Sequence, residues 1–240
     1  MKTFRMIGMA MFAILLSVGF SACSEDGPEA GGNSKEKKLV EAEVVGKVRY
    51  DITYDTTGEV SLVKRIKNSS TNNFYFVWAP NVIHDQRKDI YYHLNNNIVE
   101  KIERDYVTYT LNYNTNGHLE SWEGISSAWG SVKSTFKWDG DKLLEYDDIK
   151  YYYENKTCKG YFPLIAFPEC VVVDDDSHLF LTNPELIGMK TNQLPVKQVR
   201  GNATIDYSYT FTADGYIETC TIVKTYTEDV IVEKWKFNWK

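Results

Sequence analysis

Three stretches of this chain repeat one pattern closely enough to dictate its backbone. Tyr50 to Ile66, Tyr109 to Ile125 and Tyr207 to Val223 each read as an alternating strand, a tight turn carrying glycine, and a returning strand. An aromatic residue lies four positions before the glycine and an apolar residue two after it: Tyr54, Gly58 and Val60; Tyr113, Gly117 and Leu119; Phe211, Gly215 and Ile217. Period-two alternation marks a strand with one buried face, and glycine supplies the positive φ of a tight turn. The aromatics at Tyr54, Tyr113, Trp138 and Phe211 are expected to do one packing job around one kind of turn. On that reading the repeat is scaffold, and function is sought where it fails, in 121–130 and 156–197.

The rest of the chain extends the same architecture. Ile90, Tyr92 and Leu94 alternate into Asn95-Asn96-Asn97 and return over Ile98 to Ile102, because Asn tolerates left-handed φ. Residues 67–73 read as a polar loop, and Phe74 to Trp78 as a strand stopped before Pro80. Lys133 to Trp138 turns at Asp139-Gly140-Asp141 into Leu143 to Tyr146; Ile149 to Tyr153 follows, and Val230 to Lys240 ends the chain in a strand. Asn183-Pro184-Glu185 combines a capping residue, a first-turn proline and a dipole-complementing acid, which predicts one short helix over 184–189. The 17 tyrosines suit pleated, half-buried surfaces. The expected fold class is therefore all-β: a curved antiparallel meander or barrel-like sheet of about ten to twelve strands, since flat open sheets of that size are uncommon.

The N-terminus reads as an address. Lys2 and Arg5 precede an interrupted apolar run, Met6 to Phe20, shorter than the ~20 apolar residues of a comfortable span. Phe20-Ser21-Ala22-Cys23 resembles a bacterial lipobox, with Phe20 in place of the usual Leu-like residue, which implies acylation of Cys23 and an outer-membrane lipid partner. Ser24-Glu25-Asp26 resembles the acidic export signal of Bacteroidota surface lipoproteins, which implies display at the cell surface rather than on the periplasmic face. Residues 27–38 are Gly, Pro and charge without periodicity, a flexible tether. The expected organisation is a signal peptide at 1–22, acylated Cys and tether at 23–38, and a single β domain at 39–240. Net charge is −6, and cleavage before Cys23 removes two further positive charges. An acidic domain without a Lys/Arg stripe excludes nucleic acid as a natural partner.

Few residues carry chemistry. Cys158, Cys170 and Cys220 permit one disulfide and one free thiol in an exported compartment, but their spacing favours buried thiols acting as small hydrophobes. His84, His93, His118 and His178 match no ligand or triad spacing, and His118 falls on a turn, where exposure is expected. Asp174-Asp175-Asp176 lacks the spacing of a calcium loop and reads as solvated. Among the carboxylates Glu120, Glu123, Glu145, Glu218 and Glu233, only Glu233 is unusual, sharing a strand face with Trp235 and Phe237, where a rim position accounts for it. Asp55-Thr56-Thr57 resembles the O-glycosylation site of exported Bacteroidota proteins. No catalytic residue, metal ligand or cofactor is assigned. Trp122 and Trp129, set among glycines and serines that suggest a loop, are the candidate ligand-binding residues.

The ordered hairpins, the segment Leu186 to Val199 with Leu194-Pro195, and the lipobox together resemble a family of Bacteroidota lipoproteins of unknown function with a porin-like fold. The resemblance spans about Val44 to Lys240 and implies a curved or barrel-like antiparallel sheet on an exported lipoprotein; it implies no catalytic residues. Three features argue against a membrane-spanning barrel: Cys23 already supplies an anchor, several strands are short, and Lys240 rather than an aromatic is last. The expected function is a non-enzymatic, surface-tethered module binding a glycan or protein. The alternatives are an accessory subunit of an outer-membrane complex or a glycan hydrolase.

Overall fold

Alternation runs through sixteen described strands, each hydrogen-bonded antiparallel to its predecessor. They are β1 (Leu39–Val44), β2 (Val48–Tyr54), β3 (Val60–Lys67), β4 (Ser70–Ala79), β5 (Val82–Asp85), β6 (Ile90–Asn95), β7 (Ile98–Arg104), β8 (Val107–Tyr113), β9 (Leu119–Ser126), β10 (Gly130–Asp139), β11 (Lys142–Tyr146), β12 (Ile149–Thr157), β13 (Gln193–Arg200), β14 (Ala203–Phe211), β15 (Ile217–Thr225) and β16 (Val230–Trp239). The computed structural model describes residues 36–128, 130–164 and 178–240. β1 also pairs with β16, Leu39 opposite Trp239 and Val44 opposite Trp235, so the sheet is a closed barrel. Lys38 and Lys240 exchange two backbone bonds at 2.6 and 2.9 Å just beyond that pair.

The expected ten to twelve strands fall short because many turns carry no glycine. Asn68, Asp105 and Asp147 take positive φ (55°, 36° and 51°) at tight turns, so β4 begins at Ser70, inside the stretch read as a polar loop. The expected helix at 184–189 is a 3-10 helix, Pro184–Ile187, ended by Gly188 at φ 61°, and a short α-helix unforeseen in the sequence, α1 (His178–Thr182), precedes it. Asn183 does not cap with its side chain; its Nδ2 donates back to the Leu179 carbonyl and to Thr182 Oγ1 instead.

One rim of the barrel, the mouth, carries the turns of the three reference hairpins. In all three reference hairpins the first turn residue receives the same bonds. Asp55, Asn114 and Thr212 each donate their backbone N–H to the residue four on and accept from the glycine amide. Their side chains add a second layer: Asp55 Oδ1 accepts from the amides of Thr57, Gly58 and Glu59, Asn114 Oδ1 from Asn116 and His118, and Thr212 Oγ1 from Tyr216.

Below these turns a ring of aromatics closes gaps between strands. Where each ladder between an odd strand and the next even strand runs out, the odd carbonyl two residues earlier would be orphaned. An aromatic three residues further along the even strand supplies the donor. Tyr54 bonds Leu39 at 2.8 Å, Trp78 bonds Val60 at 2.8 Å, Trp138 bonds Leu119 at 2.8 Å, Tyr153 bonds Leu143 at 2.9 Å, Tyr209 bonds Pro195 at 2.6 Å and Trp239 bonds Ile217 at 2.8 Å. Tyr113 bonds Val99 in the same way. Between β5 and β6 the backbone itself makes the bond, Leu94 N–H to Asn81 at 2.8 Å, and no ring is needed. In the last reference hairpin Tyr209 does this work. Phe211, expected in the role, is 40% exposed at the rim, and a Phe ring has no hydrogen to donate.

A barrel of sixteen strands is wide enough for an aqueous lumen, yet this interior is packed. Ile52, Phe76, Tyr92, Tyr109, Phe136, Tyr151, Tyr207, Trp235 and Phe237 point inward and are buried. The described residues between β12 and β13, 158–164 and 178–192, join them. His178 lies stacked 3.9 Å from Phe74 and 5.8 Å from Tyr50, Phe180 meets Tyr92 edge-on at 5.1 Å, and Tyr161 meets Trp239 at 5.3 Å. Backbone bonds fix this plug to the mouth, Leu119 N–H donating to Gly188 at 3.3 Å and Lys159 N–H to Gly215 at 2.9 Å. The alternate positions, Arg49, Asp51 and Thr53 on β2, Lys133, Thr135 and Lys137 on β10, and Lys234, Lys236 and Asn238 on β16, face outward. The wall is thus apolar inside and mixed outside, where these charged and polar residues stand among the exposed Tyr75, Val77, Tyr91, Ile125, Tyr152 and Val232. No described helix is long and apolar enough to cross a membrane.

Candidate functional site

The plug does not fill the mouth completely. Two clefts open between it and the rim, of about 250 Å³ and about 310 Å³. Glu59, Asn183 and Glu185 line both, so the two are adjacent. Trp78, Pro80, Leu94 and Leu186 give one side an apolar floor. Glu36, Lys37, Lys38, Tyr54, Tyr161 and Lys190 make the other side polar. Each element has a local reason to be there. Glu59 follows the positive-φ Gly58 and is held by the Asp55 cap at 3.0 Å; Glu185 sits in the first turn of the 3-10 helix; Trp78 belongs to the aromatic ring.

Each basic group around the clefts has a partner within the protein. Lys37 pairs with Asp214 at 2.8 Å, Lys190 with Glu36 at 3.4 Å, and Lys38 donates to the Gly58 carbonyl while lying 4.7 Å from the Tyr54 ring centre. Among the described residues neither Glu59 nor Glu185 has an ion pair or a side-chain donor. Solvent reaches Glu185 through the cleft, but the surrounding wall still desolvates it enough to raise its carboxyl above the ordinary range. Lys190 opposes this shift, and Glu36 and Glu59 add to it. Burial likewise pushes the Tyr54 and Tyr161 phenols up, so both stay protonated donors.

The residues singled out in the sequence fall elsewhere. Cys23, Ser24, Glu25, Asp26, Trp129, Cys170 and Asp174-Asp175-Asp176 lie outside the described residues. Trp122 is not on a loop. It is buried on β9, edge-on to Tyr109 at 5.6 Å, and its indole nitrogen meets no partner among the described residues. The neighbouring Gly124, which suggested a loop, is a strand residue kept small by the Tyr109 ring; an added Cβ would lie 2.6 Å from it. His118 is buried rather than exposed, stacked 4.3 Å from Trp138 and 3.2 Å from Asp141, because the plug covers its turn.

Glu120, Glu123 and Glu218 are exposed around the outer wall, and Glu145 pairs with Lys137, so these acids do not converge. Glu233 sits at the opposite rim between Lys47 and Lys224, each at 3.0 Å. Burial pushes its carboxyl up, and the two lysines outweigh this to leave it low. Cys158 and Cys220 are buried free thiols; burial pushes Cys158 up to about 12 and Cys220 higher still. Among the described residues no group of three or more His, Cys, Asp or Glu could hold a metal ion. The Glu59–Glu185 site escaped sequence reasoning because only the closed barrel and its plug bring the two together.

No family model matches the sequence, and no curated protein matches it. Solved structures do. A porin-like protein from Bacteroides uniformis matches with a TM-score of 0.65 at 14% identity, covering 86% of this chain and 98% of that one. A porin-like protein from Bacteroides vulgatus matches with a TM-score of 0.58 at 11% identity, covering 85% and 99%. This chain has the porin-like fold. At such identities the likeness is one of fold alone.

Proposed function

We propose that the protein is a lipid-tethered, water-facing barrel that works as a non-enzymatic binding module, with its plugged mouth as the ligand site. The polarity of the wall carries this reading. Each Lys or Arg on the lipid face of a membrane barrel costs about 2–4 kcal/mol at the midplane. Here Lys133, Lys137, Lys234 and Lys236 occupy outward strand positions, with buried aromatics behind them. Such a wall is stable in water and costly in a bilayer, so membrane attachment falls to Cys23. Ser24-Glu25-Asp26 would then direct the barrel to the outer face of the cell.

Fractionation tests the tether and the solvent together. The full chain is expected in the membrane fraction with label from palmitate. Cys23→Ala is expected unlabelled and in the soluble fraction without detergent. A Cys23→Ala chain that resisted carbonate extraction would mean that the strands themselves hold the membrane. Replacing Ser24, Glu25 and Asp26 with alanine should leave the lipid in place and remove the barrel from attack by external protease.

A further inference from the structure

We propose that the protein pairs edge to edge with a second copy of itself through the first residues of β16. The seam of the barrel carries a step. On one side β16 is paired from its first residue, Val230 opposite Thr225 of β15. On the other side β1 reaches only to Val44, opposite Trp235, and the bond from Val45 N–H to the Lys234 carbonyl at 2.9 Å is the last between them. There β1 turns away into β2, with Lys47 N–H donating to the Val44 carbonyl at 2.9 Å. Among the described residues, Val230 to Glu233 therefore have a strand on one edge and none on the other.

The phase of the ladder says which backbone groups are left over. Tyr226 N–H donates to the Asp229 carbonyl at 2.8 Å, so Asp229, Ile231 and Glu233 direct their backbone bonds towards β15. The even residues direct theirs the other way, as Lys234 does in accepting from Val45. Val230 and Val232 thus hold N–H and C=O out at the free edge. Nothing blunts that edge. No proline, lysine or bulge interrupts Val230-Ile231-Val232, and the three side chains, on both faces, are 65%, 42% and 60% exposed. An open apolar edge of this kind is a template for another strand.

The strand that fits is its own copy. An antiparallel two-fold with Ile231 on the axis sets Val230 against Val232 of the second copy, and the reverse, so the outward amides and carbonyls satisfy one another and apolar side chains meet on both faces. The next pair is Asp229 with Glu233 of the second copy. Two bare acids would repel, but Glu233 is held between Lys47 and Lys224, each at 3.0 Å, so Asp229 meets a cluster with one net positive charge. Neighbouring registers fail. A slip of one residue sets the valines against Ile231 and Glu233, whose backbone groups are turned to β15. A slip of two sets Val230 against Lys234, whose carbonyl is spent on Val45. The edge lies at the rim opposite the mouth, so pairing leaves the clefts open. So short a contact falls below the ~1,200 Å² of stable complexes, and the dimer is reversible.

Sedimentation of the full chain in detergent, over a wide range of protein concentration, is expected to show monomer passing into dimer. Val232→Pro removes an outward N–H without breaking a bond to β15, and Val232→Lys puts a charge on the edge; each should weaken self-association about tenfold or more. Thermal melts establish that both variants are folded. Ile231→Cys, with its Cα about 4.5 Å from its counterpart, should form an intermolecular disulfide on mild oxidation, above the background of the parent chain. Val230→Cys, whose counterpart lies beyond the ~7 Å a disulfide spans, should not. Two acyl chains sharing a micelle would survive either substitution at Val232, so a dimer indifferent to both overturns the proposal. A monomer at every concentration leaves the edge to another strand or to none, and overturns it too. Equal crosslinking of the two cysteine variants would overturn the register.

Discussion

Tyr209→Phe isolates the one feature that distinguishes the barrel as folded from the barrel as a repeat of sequence. The Tyr209 hydroxyl donates to the Pro195 carbonyl at 2.6 Å, and Pro195 is buried. Phenylalanine keeps the ring and its edge contact with Phe162 at 5.9 Å, so packing is conserved and the donor alone is lost. A buried carbonyl left without a donor costs about 1–3 kcal/mol. For a barrel of this size each kcal/mol corresponds to roughly 2–4 °C of melting temperature, so a fall of roughly 2–12 °C is expected. Urea unfolding followed by circular dichroism gives the free energy directly, with the m-value expected to stay constant. Phe211→Leu, at the position the repeat favours, is 40% exposed and should change stability by less than about 0.5 kcal/mol. If Tyr209→Phe were neutral, or Phe211→Leu cost as much, the aromatic ring would not be closing the strand ends and the argument would fail.

Three other substitutions probe the mouth, its plug and the opposite rim. Glu185 has a raised carboxyl, so its ionised form is disfavoured in the folded chain, and the resulting penalty grows as pH rises through its folded value; Glu185→Gln should therefore raise the melting temperature at pH 7 and lose that advantage near pH 4. Glu233 has the opposite sign: its lowered carboxyl contributes stability above the unfolded value that fades as pH falls, so Lys224→Met should reduce stability at pH 7 and converge with the parent in acid melts. Gly188→Ala would place a Cβ 2.2 Å from the Gly117 carbonyl at φ +61°, prising the plug from the mouth; faster hydrogen exchange at the Leu119 amide should report it. Ellman's reagent should leave Cys158 and Cys220 untouched in the native barrel and titrate both after denaturation.

What could be read in the sequence was whatever is local. The Tyr109 hairpin has its register set by alternation and by Gly117, and its neighbours in space are its neighbours in sequence. Turns built on Asn68, Asp105 and Asp147 hid strands, because their positive φ rests on residues that also populate ordinary loops. Gly124 misled for a related reason: its smallness answers to the Tyr109 ring across the sheet, not to a bend in its own backbone. His118 and the pair Glu59 and Glu185 became legible only with the plug in place, since the atoms that bury or surround them come from the 3-10 helix and its flanks. Tyr209 stands between the two cases. Its spacing from Gly215 breaks the repeat, while its spacing from the end of the β13–β14 ladder keeps it.

The pairing of β1 with β16 bears on the order of assembly. Every other adjacent pair except β12 with β13 is a tight hairpin, which can form within microseconds of its residues meeting. The last junction joins residues about 200 positions apart, and the loop-closure entropy exceeds that of a four-residue hairpin by roughly 3–4 kcal/mol. Until Trp235, Phe237 and Trp239 have emerged and docked, β1 and β15 are raw edges, open to wrong partners. The slow, aggregation-exposed phase of refolding therefore belongs to this junction. Variants at Ala42, which faces Phe237 across it, should slow refolding far more than equal losses of stability placed inside any hairpin.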